Sequence, residues 1–249
     1  AVNELYAKYS GTKIIPETML YAKKELLQKN RQKQKNILTL ILNNHDIFDQ
    51  FVLSLTYNTN KIEGSTLTED ETADIIFNNI SLPNKSVTEH LEAKNHQTAL
   101  VVLFDWLKNK KPINEELILK LHSILMNGIR PDAGIYRNHG VRIMGADVPT
   151  ANYLKVPILM KKLTKDILKN KKDLIANVAE IHSRFEQIHP FSDGNGRIGR
   201  LLIQAMLVKN NYPPAIIKEE NKRFYMKYLN KAQMTEDQSL LEDFLCDAI

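Results

Sequence analysis

Twelve residues hold most of the chemistry in this chain: His189-Pro-Phe-Ser-Asp-Gly-Asn-Gly-Arg-Ile-Gly-Arg200. Gly194, Asn195 and Gly196 read as a turn, and the run that follows as a helix starting at about Arg197. Glycines at such a turn let backbone N–H groups approach an anion at the helix N-terminus. Arg197 and Arg200 are three residues apart and share one helical face. Cations are disfavoured at the positive end of a helix dipole, so two of them there point to an anion between them and the backbone. Their planar donor forks suit phosphate oxygens. Asp193 is a single hard carboxylate beside that anion, which suits Mg²⁺ held mostly by water and phosphate, with Mn²⁺ as an alternative. His189, with an ordinary pKa of about 6.5, suits a general base at neutral pH. Base, metal ligand, anion cradle and charge clamp together describe phosphoryl or nucleotidyl transfer.

Other uses of these residues fit less well. A calcium loop started at Asp193 would put Arg197 at its fifth position and Ile198 where glycine is needed. No Gly-Lys-Ser/Thr closes the stretch, as a Walker loop requires. Zinc has little support from His182, His189 and the single cysteine, Cys246. A glycine turn between core helices, with both arginines solvated, is the plain alternative, at about even odds on composition alone.

The elements that must position this stretch read as helices. Apolar spacing predicts one helix, or two with a weak join, over 17–42, then helices over 45–62, 68–79, 86–107 and 115–126. Gly64 ends the second of these segments, and Thr68-x-x-Glu71 resembles a capping box. Residues 128–149 change character: glycines and prolines punctuate an alternation of Tyr136, Val141 and Ile143, which reads as a short β-hairpin. Helices are predicted again over 153–168, 173–188, 197–209, 218–233 and 239–248. One all-α domain with one hairpin is the expected fold.

Composition bounds the rest. The 249 residues are 43% hydrophobic, enough for a full core, and the net charge of +5 is mild and dispersed. Nucleic-acid binding gains little from that, since runs such as Lys108 to Lys111 read as solvated helix ends. No apolar run is long enough for a membrane span. The N-terminus lacks a signal-peptide pattern, and Ala1 reads as the product of Met removal or trimming. A lone cysteine suits a reducing compartment, here the cytoplasm.

His189-Pro-Phe-x-Asp193-Gly-Asn-Gly-Arg197-x-x-Arg200 is similar in full to the signature of the Fic family (filamentation induced by cAMP). The resemblance implies an all-α core and transfer of AMP from ATP to a hydroxyl side chain of a target protein. It implies that His189 deprotonates that hydroxyl and that Asp193 holds Mg²⁺ on the phosphates. Gly194, Asn195 and Gly196 would form the anion cradle, with Asn195 near the α-phosphate. Arg197 and Arg200 would bind the β- and γ-phosphates, and Phe191 would fix the loop from the core. The hairpin at about 134–149 resembles the family's flap, in which Val141, Arg142 and Ile143 hold the target by strand pairing. On the adenine side the family often has paired tyrosines followed by Asn, where this chain offers Tyr225-Met226 and Gln233.

Thr59-Asn60-Lys61-Ile62-Glu63-Gly64 resembles a second family pattern, the inhibitory Ser/Thr-x-x-x-Glu-Gly/Asn. Taken alone it is an ordinary helix end. Glu63 at a helix C-terminus opposes the local dipole unless a cation meets it, and the resemblance supplies Arg200 as that cation. The expected arrangement is a single domain, with an inhibitory helix at about 47–63 inside an N-terminal segment 1–85 and a Fic core over 86–249. The core would end near Ile249, before the winged-helix extension of many relatives. The expected partners are ATP, an unidentified target protein and the chain itself by self-modification; a homodimer is left open. AMP removal, another nucleotide or phosphate donor, and a non-enzymatic nucleotide-sensing role are the alternatives.

Overall fold

The computed structural model describes residues 17–143, 148–169 and 172–249. Side-chain caps set six of its α-helix starts. The first helices are α1 (Glu17–Lys33), α2 (Ile37–Asn43), α3 (His45–Glu63) and α4 (Glu69–Ile76). The predicted 17–42 segment is therefore two helices, and Asn36 caps the second by accepting from Thr39 N–H. Asn44 caps α3 in the same way, and Gly64 ends it with φ +105°. Thr68 and Glu71 form the expected capping box on α4. Next come α5 (Val87–Lys108), opened by a Ser86–Glu89 capping box, and α6 (Glu115–Leu125), capped by Asn114.

The predicted hairpin is not a ladder. Among the described residues no strand is present, and residues 144–147, its tip, lie outside them. The two arms are instead tied by Thr150 Oγ1, which donates to the Val141 carbonyl at 2.7 Å. Beyond them a 3₁₀ turn (Tyr153–Lys155) leads into α7 (Val156–Ile167), followed by α8 (Leu174–Ile188) and α9 (Asn195–Lys209). A second 3₁₀ turn (Glu219–Asn221) precedes α10 (Lys222–Thr235), and α11 (Ser239–Ala248) closes the described chain.

Helix α9 lies at the centre. Apart from Gly196, every residue from Asn195 to Val208 is buried. It packs against α3, α5, α6 and α8, so it needs an apolar surface all round rather than a stripe. Phe104, Phe185, Leu100, Leu117 and Ile118 fill the surrounding core. The packing carries two functional ends to one place: the C-terminus of α3, with Glu63, and the N-terminus of α9, with the glycine stretch. No helix among the described residues is long and apolar enough to cross a membrane.

Candidate active site

The loop between α8 and α9 is built around Phe191. Its ring is fully buried, stacked on His122 at 3.6 Å between centroids, with Tyr136 at 5.5 Å. His122 Nδ1 accepts from Gly134 N–H at 2.8 Å, so its proton lies on Nε2, which donates to the Asp193 carbonyl at 3.1 Å. Burial holds this imidazole at a pKa of about 4, against the weaker pull of the Asp193 carbonyl. The side chain is thus a neutral strut under the loop.

Helix α9 starts at Asn195, two residues before the predicted Arg197. That changes the reading of Asn195. Its amide clasps Phe191 from both sides, accepting from the Phe191 N–H and donating to its carbonyl, each at 2.9 Å. The Asn195 side chain therefore closes the loop and is not free for an α-phosphate; its contribution to an anion cradle is the backbone N–H.

His189 ends α8 in the left-handed region, at φ +50°. A missed residue, Arg137, holds that turn. Its Nε donates to the His189 carbonyl at 2.7 Å, its Nη1 to the His139 carbonyl at 2.7 Å and its Nη2 to the Ala151 carbonyl at 2.5 Å. The guanidinium takes up carbonyls left over at the end of α8, those of His189 and Ile188, together with two loop carbonyls. Arg137 binds these two loops by side chain where strand pairing was expected. His189 Nδ1 lies 3.1 Å from the Glu186 carbonyl. A carbonyl can only accept, so Nδ1 carries the proton and Nε2 keeps its lone pair. Burial lowers the His189 pKa, against the weaker pull of the Glu186 carbonyl, so the ring is neutral at pH 7.

The two arginines meet different partners. Arg200 is 6% exposed; its Nη2 pairs with Glu63 Oε1, and its Nε donates to Thr59 Oγ1 at 2.6 Å. Both partners come from the last turn of α3. Desolvation opposes the charge on Glu63, but Arg200 overcomes it and holds the carboxyl below its usual range. Gly196 makes the approach fit: a Cβ there would stand 2.5 Å from Glu63 Oε1 and 3.1 Å from Arg200 Nη1. Arg197 turns away from this cavity. Its Nη1 donates to Glu92 Oε1 on α5 at 2.7 Å, and its Nη2 rests 3.8 Å from Met126 Sδ. Of the two, Arg200 borders the cavity described next, with its fork taken up by Glu63 and Thr59.

A cavity of about 120 Å³ collects Glu63, His189, Gly196, Arg200, Tyr225, Gln233 and Ile143. Glu186 and Asn230 also line it; neither was singled out from the sequence. Tyr225 is buried and its hydroxyl lies 2.7 Å from His182 Nε2, so it forms a wall. Gln233 is tethered to the Ser183 carbonyl at 3.2 Å. Asn230 faces the cavity and is closer in sequence to Tyr225-Met226 than Gln233 is. Of the expected flap residues, Ile143 reaches the cavity and Arg142 is exposed.

Asp193 sits at the loop edge with its side chain 54% exposed, and its Oδ1 accepts from Gly194 N–H at 2.6 Å. No group of three or more His, Cys, Asp or Glu side chains converges among the described residues. A lone, accessible carboxylate fits a divalent ion that takes its other ligands from water and a nucleotide rather than from a protein cage.

Residues 112–207 match the model of the Fic/DOC family, a span that contains the loop and all of α9 up to Leu207. A protein from Nematostella vectensis named protein adenylyltransferase Fic is 32% identical over 182 residues, covering 71% of this chain. The chain belongs to the Fic/DOC family. A protein of the same name from Culex quinquefasciatus is 28% identical over 235 residues, or 92% of this chain. The Fic chain spans less than half of these relatives' length, 42% and 47%. Solved structures agree on the fold. Fic-1 from C. elegans superposes with a TM-score of 0.79 at 24% identity, covering 92% of this chain and 68% of that one. A Fic domain containing signaling protein from Bacteroides thetaiotaomicron gives 0.74 at 24% identity, covering 93% and 92%.

Proposed function

We propose that this chain is a protein adenylyltransferase that Glu63 holds at low activity. The observation that carries the reading is the seat of Glu63 on Arg200, against Gly196, in the cavity that His189 lines. The similarity to proteins named protein adenylyltransferase Fic supports the reaction class.

In the transfer, His189 Nε2 takes the proton of a Ser, Thr or Tyr hydroxyl on the target. The freed oxygen bonds to the α-phosphorus of ATP, and the bond from that phosphorus to the pyrophosphate oxygen breaks. Arg200 and the first N–H groups of α9 face the developing charge. Asp193 would hold Mg²⁺, which when bound supplies charge neutralisation on the phosphates. Ile143 and its neighbours Val141 and Arg142 would present the target segment. Glu63 blocks this sequence because a carboxylate and a terminal phosphate need the same guanidinium fork. We assign residues 1–85 and 86–249 to one domain, the first part supplying the inhibitory helix.

The test is intact-mass analysis after incubation with ATP and Mg²⁺. Glu63→Gly should gain one AMP per transfer where the unaltered chain gains little. No gain over the unaltered chain removes the inhibitory assignment. His189→Ala in the Glu63→Gly background should gain nothing; continued transfer means that another group is the base. A panel of labelled nucleotides fixes the donor. The proximity of Glu63 to His189 also supports a second reading, AMP removal with Glu63 orienting a water. That reading requires the unaltered chain to strip AMP from a modified target and Glu63→Gly to lose this ability.

A further inference from the structure

Arg200 has a second carboxyl beside it. Glu186 lies on α8, 6% exposed, and lines the same cavity as Arg200 and Glu63. Its Oε1 is buried without a hydrogen-bond partner. It presses on Gly199, the residue directly before Arg200: a Cβ on Gly199 would overlap Glu186 Oε1. One guanidinium therefore sits among two carboxyl groups, and only Glu63 is paired with it.

One buried cation neutralises one buried anion, and a second ionised carboxylate there would stand uncompensated. That fixes which charge states are tolerable. With Glu63 seated on Arg200, Glu186 must keep its proton. Burial, helped slightly by Glu63 and opposed by Arg200, pushes its pKa up to about 8. If Glu63 leaves and nothing replaces it, Arg200 becomes the uncompensated charge. Glu186, which lines the same cavity, is a group able to answer it.

We propose that Glu186 is a reserve partner for Arg200: when Glu63 withdraws from an empty site, Glu186 releases its proton to solvent and pairs with Arg200, and it takes a proton back when the nucleotide's terminal phosphate claims the fork. Glu186 is thus a positioning residue that acts through Arg200. It keeps the clamp aimed at the cavity in the interval between inhibitor and substrate. The charge change stays local because the other groups around Glu186 hold their states near neutral pH. Burial keeps His182 neutral with a pKa of about 3 and raises that of Tyr225, while Arg200 stays charged and His189 neutral. On the other helices packed against α8, Asp166 pairs with Arg184 and Asp243 with Lys23.

The inference rests on the assignment of Arg200 to a phosphate of ATP, and two measurements separate the two ideas. The first needs no nucleotide. The infrared difference between a protein and its Glu186→Gln variant isolates this carboxyl. At neutral pH it should show the C=O stretch of a protonated acid in the unaltered chain and a carboxylate in the Glu63→Gly background. The protonated band in both backgrounds, or a carboxylate in both, overturns the exchange. The second is calorimetry of ATP binding to Glu63→Gly at about pH 8, where ATP is fully ionised, in buffers of different ionisation enthalpy. Uptake of up to about one proton per ATP is expected, falling to none in Glu63→Gly/Glu186→Gln while ATP still binds. Equal uptake by both variants, or none by either, refutes the proton return. Absence of ATP binding refutes it together with the phosphate assignment, whereas the infrared result stands apart from both.

Discussion

Gly199 is the residue at which the buried polar cluster is tightest. A methyl group there would overlap Glu186 Oε1 and come within 2.9 Å of His182 Cε1 and 3.0 Å of His182 Nδ1. Neither neighbour is a loose surface tip, since Glu186 and His182 are both buried. Overpacking of this kind typically costs about 1–3 kcal/mol, so Gly199→Ala should lose about that much in urea denaturation. Glu186→Ala removes the group that the methyl strikes. The double variant should therefore be more stable than the sum of the single losses allows, by about 0.5–3 kcal/mol of coupling. Strictly additive losses would show that the carboxyl is not what Gly199 makes room for. This contact explains a glycine that the opening motif shares but whose need no spacing argument discloses. Its partner is 13 positions back, on another helix.

Helix α3 is the element on which the proposed inhibition rests, and its last turn carries Glu63. Gly64 N–H bonds to the Lys61 carbonyl at 3.0 Å and Ser65 N–H to the Asn60 carbonyl at 2.9 Å, a paired closure of the helix end. The φ of +105° is what a side chain resists, while open space surrounds the position where a Cβ would go. Gly64→Ala should then cost about 1 kcal/mol, through backbone strain alone. The strain falls one residue from Glu63, so the pair with Arg200 should loosen. Self-modification is expected to rise above that of the unaltered chain yet stay below Glu63→Gly; no rise would mean that the seat of Glu63 does not depend on this cap. The cap was legible in the sequence, as were the starts of α3, α4, α5, α6 and α8, because Asn44, Thr68, Ser86, Asn114 and Asp173 act on N–H groups within three residues. Three features were not legible. The Glu92 that claims Arg197 is 105 residues away. Arg137 reaches its carbonyls across 14 and 52 positions, so the alternation around it looked like strand pairing. Asn195, read as part of a glycine turn, is helical because its amide finds Phe191 four residues back.

The whole molecule stores a proton imbalance around α9. His96, His122 and His182 are each 2% exposed or less. Burial holds their pKa values at about 3, 4 and 3, with nearby arginines adding to the effect. In an unfolded chain the same rings titrate at about 6.5. Their folded pKa values are depressed, so below that pH the unfolded chain binds more protons and stability falls as acid is added. Glu186 works the other way. Its folded pKa of about 8 exceeds the usual carboxylate value, so between about 4.5 and 8 the folded chain holds a proton that the unfolded one lacks. Three histidines against one carboxyl leave a net uptake of about two protons on unfolding in the range of pH 6 to 5, to which His189, also lowered by burial, adds in the same direction. At about 1.4 kcal/mol per proton per pH unit, the unfolding free energy should drop by about 3 kcal/mol over that unit. A typical domain has about 5–15 kcal/mol in all, so that one pH unit should remove a substantial share of the stability while leaving the chain folded at pH 5 unless it starts near the lower bound. Urea titrations at pH 7, 6 and 5 measure the slope, and Glu186→Gln should steepen it by about one proton because the offset is gone. Stability that instead rose toward acid, by about the one proton that Glu186 alone supplies, would mean that the three rings are already charged inside the fold. In that case the neutral strut under the Phe191 loop, and with it the rigidity assigned to the anion cradle, would have to be abandoned.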